Sequence, residues 1–573
     1  MTVRGNQQTL TSTIVPQNDF TSNLQLTHKQ SSYFSGNAAL LYCSIVCRSR
    51  AMREIITLQF GERSNYLGTH FWNTQESYFT YPPEAESPVN HDILFRPGLA
   101  PDGSDTFTPR ALIYDLKGAF GSMRKISALY EPEDDRSILD QAGVWPSKPI
   151  VQRTQPIPQS TYQEHLDAGL NPPPLDSSSV RYWSDYSRVF YHPKSIAQLS
   201  EFEVNDQLMP FEKWEVGMEL FEKLEREVDL VDRDLRPFVE ECDGIQGLQM
   251  LTSVDDAWGG WASGWIERLR DEYGKMSIWT WGLGDQGANA SVGRERRLQQ
   301  MVNASQSLQV LGEQSSVYIP MSNRPIQWPW YLSLDTSSAW HIGALQVVGM
   351  ETMTISSRLR GCVGGRGTLQ QVEDTINIGG KRRIAKFEMS IADPGELSEN
   401  STKESGLAEK AGSMTSRQTS EGDEEVSQFD IDVFTRDYRV ASRSRKKKEH
   451  VFGRAQVSRG DWNLAGDSEA HNPHNRFHHG PLLQNFHAPL LFPLLDSFPA
   501  SIFEFGSGQV AKVAVHTGLT TSTGVADQVR AMEQMVKRLV GIEDREALCN
   551  GLQVLAEEYD AGWDSGTDSD DDT

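Results

Sequence analysis

The stretch Arg53-Glu54-Ile55-Ile56-Thr57-Leu58-Gln59-Phe60-Gly61-Glu62-Arg63-Ser64-Asn65-Tyr66-Leu67-Gly68-Thr69-His70-Phe71-Trp72 decides the fold. Glu54 to Phe60 reads as a strand, Gly61 marks a turn, and an amphipathic helix runs on through Trp72. Strand, glycine turn and helix in that order open a mostly parallel α/β sheet. In such sheets ligands bind beyond the carboxyl ends of the strands, where the loops gather.

The same alternation continues outward from this unit. Ala111 to Leu116 reads as a second strand with Asp115 near its carboxyl end. Pro210 to Glu241 has apolar residues at helical spacing: Phe211, Trp214, Met218, Phe221, Leu224, Val228 and Leu230. Met276 to Trp281 and Ser316 to Ile319 read as further strands, and Ser522 to Val540 and Glu543 to Tyr559 as two late helices. The expected fold class is α/β. A Rossmann-like parallel-sheet domain covers residues 52–345. A smaller α+β domain follows over 346–540, then a C-terminal helix and acidic tail over 541–573. Within the second domain, residues 393–450 are dominated by Ser, Glu, Lys, Thr and Gly and read as a disordered insertion, because so little apolar surface cannot offset chain entropy. It closes on the basic run Arg443, Arg445, Lys446, Lys447 and Lys448, which reads as a solvated charge run.

Composition narrows the function classes. The 573 residues carry 54 Lys and Arg against 78 Asp and Glu, a net charge of −24. Phosphate backbones are repelled by such a surface, so direct nucleic-acid binding is not expected. The cysteines, Cys43, Cys47, Cys242, Cys362 and Cys549, are few, odd in number and scattered, which fits a reducing compartment and neither a disulfide framework nor a metal site. The most apolar run, Ala488 to Phe503, is broken by Pro489, Pro493, Pro499 and Asp496, so no membrane-spanning segment is expected and any membrane association is peripheral. Residues 1–51 form a Ser/Thr-rich, low-complexity extension with Asp19 its only acid. It reads either as an organelle transit leader or as an extension upstream of a start at Met52.

Residues 53–72 resemble the opening strand, first loop and first helix of tubulins, whose pattern REI-x3-Q-x-G-x3-N-x2-G-x2-FW runs here without a gap. Three further blocks are similar to tubulin segments. Pro109 to Leu116 is similar to the PRA-x3-DL strand. Glu241 to Gln249 is similar to the CD-x-x-QG-x-Q segment, read as a helix before the glycine loop. Asn303-Ala304-Ser305-Gln306-Ser307, with Glu313 and Tyr318, is similar to the segment that frames ribose and base. The likeness spans roughly residues 53–360. Its departures from tubulin resemble the misato family, linked in fungi to mitochondrial distribution and inheritance.

The resemblance implies a GTP site, and the residues at its positions disagree with one. The vestigial set is Gly61, Glu62, Arg63, Asn65, Asp115, Lys117, Gly259, Gly260, Asn303, Glu313 and Trp340. Phosphate loops need glycine so that backbone N–H groups can approach the oxygens. Where tubulins read GGGTGSG, this chain reads Asp255-Asp256-Ala257-Trp258-Gly259-Gly260-Trp261. Two carboxylates there repel phosphate, and Trp258 and Trp261 are too large for a loop that must hug a ligand. Glu62 replaces a Gln, with Arg63 placed to offset it, and Lys117 replaces a magnesium-type acid. Trp340 falls at the base-stacking position, while Ala344 and Gln300 replace base-reading residues. In Gly364 to Asn377, Thr368 and Gln370 stand where tubulins carry Asn and Asp, and Glu373 falls near the hydrolytic acid but reads as solvated surface.

The dense histidines His471, His474, His478, His479 and His487 lack accompanying cysteines or acids at metal spacing and read as a loop. Trp258, Trp261, Trp265, Trp279 and Trp281 read as core or interface. The expectation is therefore a tubulin-like protein with no catalytic or metal residues. No resident cofactor is expected, GTP being the candidate. The resemblance implies mitochondrial partitioning and mitochondrial DNA inheritance, at the mitochondrion and in the cytoplasm, with protein partners such as tubulin or chaperonin subunits. The alternatives are a GTP-binding filament-forming GTPase and a tubulin assembly or folding factor.

Overall fold

The computed structural model describes residues 54–80, 86–99, 103–124, 157–285, 293–325, 328–360, 367–377, 379–397, 429–434, 449–460, 462, 482–506, 508, 510–538 and 545–560. They belong to one compact unit, Met52–Thr573.

β1 (Glu54–Phe60) is buried along its whole length because it is a central strand with a parallel neighbour on each side. Its one acidic side chain, Glu54, sits at the start and accepts the N–H groups of Asp243 and Gly244 at 3.1 and 3.0 Å. The chain turns at Gly61, whose φ of 84° lies in the left-handed region open to glycine. From there α1 (Glu62–Glu76) runs back along the sheet.

A hairpin of β2 (Phe95–Leu99) and β3 (Asp105–Pro109) leads to β4 (Ala111–Lys117). Then follow α2 (Thr161–Asp167), β5 (Ile196–Glu203), α3 (Trp214–Val228), β6 (Ile245–Ser253) and α4 (Ala257–Glu272). β7 (Ser277–Gly284), α5 (Arg294–Gln314), β8 (Val317–Ser322) and α6 (Ala339–Thr354) complete the first layer set. The strands pair in the order β5-β4-β1-β6-β7-β8, every neighbour parallel. β4 and β5 lie on one side of β1 and β6 returns to the other. A crevice opens at the carboxyl ends beside such a reversal.

Alternate residues of β1 feed two cores. Ile55 joins the core under α1 and α6, whereas Ile56, Leu58 and Phe60 join the core under α3, α4 and α5. α6 is buried on nearly every side, since it lies between α1 and a second sheet. That second layer begins with α7 (Leu369–Ile376), capped reciprocally by Thr368 and Gln371. Its strands are β9 (Lys386–Ala392), β10 (Ile431–Asp432), β11 (Val451–Arg459), β12 (Leu482–Ala488), β13 (Phe492–Pro493) and β14 (Lys512–Ser522). The second sheet runs β10-β9-β14-β11-β12, with β11 and β12 parallel and the other pairs antiparallel. α8 (Thr523–Arg538) and α9 (Arg545–Glu557) pack on α5. Just beyond α9, the Tyr559 hydroxyl accepts the Ile384 N–H at 2.6 Å and donates to the Ile384 carbonyl at 2.9 Å.

A buried charge triad ties the two layers together. Glu351 of α6 accepts hydrogen bonds from Arg358 at 2.9 Å, from Gln75 of α1 at 3.1 Å, and from Arg459 of β11. Both guanidiniums and the carboxylate are fully buried. Arg459 also donates to the Tyr78 hydroxyl at 3.0 Å, and Arg358 lies over the Phe71 ring. Every acceptor oxygen of Glu351 is thereby used, the condition for a buried charge to be tolerated.

Three expectations are corrected. The block from Glu241 to Gln249 is not a helix: Ile245–Ser253 is β6, which carries no ionised side chain and is sandwiched between β1 and β7. The helical spacing across Pro210 to Glu241 is interrupted, because Asp229 adopts a φ of 50° and ends α3 before a π-turn at Val231–Leu235. Part of the 393–450 insertion is built into the fold. β10 pairs with β9, and Phe429 stacks on His516 of β14 at 5.0 Å. The remainder of that insertion with its basic run, the 1–51 extension, His471, His474, His478, His479, Gly364, Cys43, Cys47, Cys362 and the acidic tail lie outside the described residues. His487 is described and sits on β12, its Nδ1 3.3 Å from the Ser458 hydroxyl. Among the described residues, no helix is long and apolar enough to cross a membrane.

Candidate functional site

The crevice beside β1 holds a cavity of about 260 Å³. Seven carboxylate side chains line it, among them Glu62, Asp115, Asp255 and Asp256, against the two guanidiniums of Arg63 and Arg296. Arg296 is itself paired with Glu212 at 2.8 Å. The field inside this cleft is negative, the reverse of what a triphosphate requires.

Trp258 decides how close a ligand can come to the first loop. Its indole lies directly against Gly61, so that a Cβ at Gly61 would stand 2.5 Å from the ring. Trp258 occupies the first turn of α4 and is 5% exposed, held edge-on against Phe211 at 5.1 Å. The backbone of Gly61, open to phosphate in a nucleotide loop, is here roofed by an aromatic ring.

The N-terminus of α4 is closed by the chain's own anion. Asp256 is the N-cap and accepts the Trp258 N–H at 2.9 Å. Burial raises its pKa, Arg63 opposes that rise, and Asp255 adds to it. Asp255 is buried, pairs with Arg63, and accepts the Asp285 N–H at 3.0 Å. Burial works against the charge on Arg63, but Asp255, Asp256 and Asp285 outweigh it, so its pKa is raised and the guanidinium stays ionised.

Asp115 is also engaged. One oxygen accepts the Asn65 amide at 2.7 Å and the Trp183 indole N–H at 3.1 Å, and the other accepts the Leu116 N–H at 2.9 Å. Burial lifts its pKa to about 7, these hydrogen bonds acting in the opposite sense. Asn303 spends its amide on the protein: it donates to the carbonyls of Glu212 at 2.7 Å and Asp255 at 3.1 Å, and accepts from the Trp214 N–H at 3.1 Å and Gln299 at 2.9 Å. The residues present do not fit GTP with magnesium. Among the described residues, no group of three or more His, Cys, Asp or Glu is placed to hold a metal ion.

The structure thus brings Glu62, Arg63, Asp115 and Asn303 onto one cleft, with Gly61 and Asn65 beside it. Lys117 does not line it and pairs with Glu203 at 3.0 Å. Gly259 and Gly260 lie inside α4, where they let helices approach. A Cβ on Gly260 would stand 1.9 Å from the Trp214 carbonyl oxygen, and one on Gly259 2.1 Å from the Ser307 hydroxyl. Glu313 is exposed near the far end of α5. Trp340, in the first turn of α6, is buried and donates its indole N–H to the Ser497 carbonyl at 3.0 Å. Glu373 is half-buried at the opposite, amino edge of the sheet, accepting the Ser277 hydroxyl at 2.5 Å.

Two family models match the chain: the Misato Segment II tubulin-like domain over residues 53–168 and the tubulin domain over residues 172–359. Among curated relatives, Protein DML1 of Phaeosphaeria nodorum is 84% identical over 521 residues, covering 91% of this chain and 100% of the relative. Protein dml1 of Aspergillus niger is 42% identical over 527 residues, and Protein DML1 of Yarrowia lipolytica 28% over 537, each with the same coverage. The chain belongs to the misato family.

This misato-family chain keeps the tubulin sheet and refills its cleft. The sequence pairs Arg63 with Glu62 by adjacency, yet the structure pairs Arg63 with Asp255, 192 residues away. A signal for that pairing was present, since a cation gained in one loop and anions gained in another are complementary. No local pattern indicated that Trp258 would cover Gly61, or that Asn303 would turn inward to the backbone.

Proposed function

We propose that this misato-family chain is a tubulin-like organising protein that works without turning over GTP, partitioning mitochondria and mitochondrial DNA through protein–protein contacts. The observation that carries the reading is the Trp258 ring lying against Gly61 above a cleft whose Arg63 is already paired with Asp255. A triphosphate entering there would displace a buried aromatic ring and meet uncompensated carboxylates at low effective dielectric. The mitochondrial part rests on the resemblance to the misato family, with the protein acting at the organelle and in the cytoplasm by peripheral association.

Titration of the full chain with a fluorescent GTP analogue and magnesium tests the reading. The expected outcome is no saturable binding up to about 1 mM, corresponding to an affinity weaker than about −4 kcal/mol. Micromolar binding displaced by unlabelled GTP would overturn it in favour of a filament-forming GTPase, for which sedimentation with and without GTP is the companion assay. Absence of nucleotide binding together with capture of tubulin or chaperonin subunits would mark a tubulin assembly factor.

A further inference from the structure

The loops around the cleft are joined to one another by two side-chain chains that meet at residues 204–213. The polar chain runs from Arg63 of α1 to the Asp255 carboxylate, then from the Asp255 carbonyl through Asn303 to the Glu212 carbonyl and the Trp214 N–H. The aromatic chain runs from Gly61 to Trp258, to Phe211 at 5.1 Å, and on to Phe202 at 4.9 Å. Both begin at the β1–α1 turn and both reach the segment that connects β5 to α3, at Phe211 and Glu212. That segment leaves β5 through Asn205 at a φ of 61°, and it holds Leu208 92% exposed and Met209 53% exposed.

We propose that Arg63, Asp255, Asn303 and Trp258 form a built-in latch that holds residues 204–213 in one conformation, taking the place of a bound ligand. The proposal rests on the reading that no nucleotide occupies the cleft. A ligand orders loops in proportion to its occupancy, so loops ordered that way cycle as it comes and goes. Loops ordered by covalently attached side chains have no such cycle. Leu208 and Met209 are accordingly presented to solvent at all times.

Hydrogen–deuterium exchange on the full chain tests this, using Trp258→Ala and Arg63→Gln beside the parent protein. In both variants the amides of residues 204–217 are expected to exchange about tenfold or more faster, as for a segment that opens locally, with β14 unchanged. Arg63→Lys, which keeps the charge, is expected to fall between parent and Arg63→Gln. Unchanged exchange at 204–217 would overturn the latch, as would acceleration spread equally over β14. Should either variant fail to fold, Arg63→Lys carries the test, because it keeps a cation beside the buried Asp255 while losing the guanidinium fork. GTP and magnesium added to the parent separate the two readings. Protection of 204–217 by nucleotide overturns the proposed function, whereas no protection with unchanged variant exchange overturns the latch alone.

Discussion

Glu351→Gln removes the negative charge that sits between two fully buried guanidiniums while keeping the shape of the side chain. Each attraction is worth about 4 kcal/mol at contact distance with an effective dielectric near 20. The gross loss is therefore about 8 kcal/mol, reduced because the variant no longer desolvates a carboxylate. The net cost expected for breaking a buried pair from one side is about 3–5 kcal/mol. Gln also turns an N–H toward a guanidinium, where neither group can accept. Against a total stability of about 5–15 kcal/mol, this is a large share. Urea unfolding followed by tryptophan fluorescence at neutral pH should show the midpoint falling accordingly. Raising salt should leave the difference nearly unchanged, because ions do not screen a fully buried pair. Adding Arg459→Met should recover part of the loss, since an apolar replacement removes one uncompensated charge. A loss below about 1 kcal/mol, the range of exposed pairs, would refute the reasoning and mean that water reaches the triad.

Gly260→Ala places a methyl 1.9 Å from the Trp214 carbonyl oxygen, so a loss of about 2–3 kcal/mol is expected in thermal melting. A gain, as from helix propensity alone at about 1 kcal/mol, would show that α3 and α4 are not in backbone contact. Burial lifts Asp115 to about 7 in the fold, whereas the unfolded carboxyl titrates near about 3.9. The stability it contributes is fully present below about pH 4 and is lost as pH rises to about 7, so Asp115→Asn should flatten stability against pH across that window. Tyr559→Phe strands the buried Ile384 N–H and carbonyl, and about 1–3 kcal/mol should be lost in denaturant unfolding.

Much of the parallel sheet was legible because its strands are local apolar runs and its turns are punctuated by glycine. Glu54–Phe60, Gly61 and the following helix could be placed from twenty consecutive residues. β6 was misread, since an uncharged run of nine residues fits a buried strand or a buried helix equally well until its neighbours are known. The cleft was half legible. The charge reversal at Asp255 and Asp256 is visible in the chain, but its neutralisation by Arg63 depends on a contact across 192 positions. Trp340 shows the limit from the other side: its position in the sequence suggests a stacking surface, yet its indole is buried against Tyr186 and the Ser497 carbonyl. The Glu351 triad draws on α1, α6 and β11, and no window of sequence contains all three.

The burial of α6 on nearly every side bears on how the chain is made. As synthesis proceeds, α6 is complete at Thr354 with one face able to pack on α1 and the face that the second sheet covers still bare. Its cover includes β14, which begins only at Lys512, after the insertion has been made. At elongation rates of about 5–20 residues per second, that interval lasts on the order of ten seconds. A nascent chain in this state carries an apolar surface that the finished protein hides, and that surface stays bare until the second sheet closes over it.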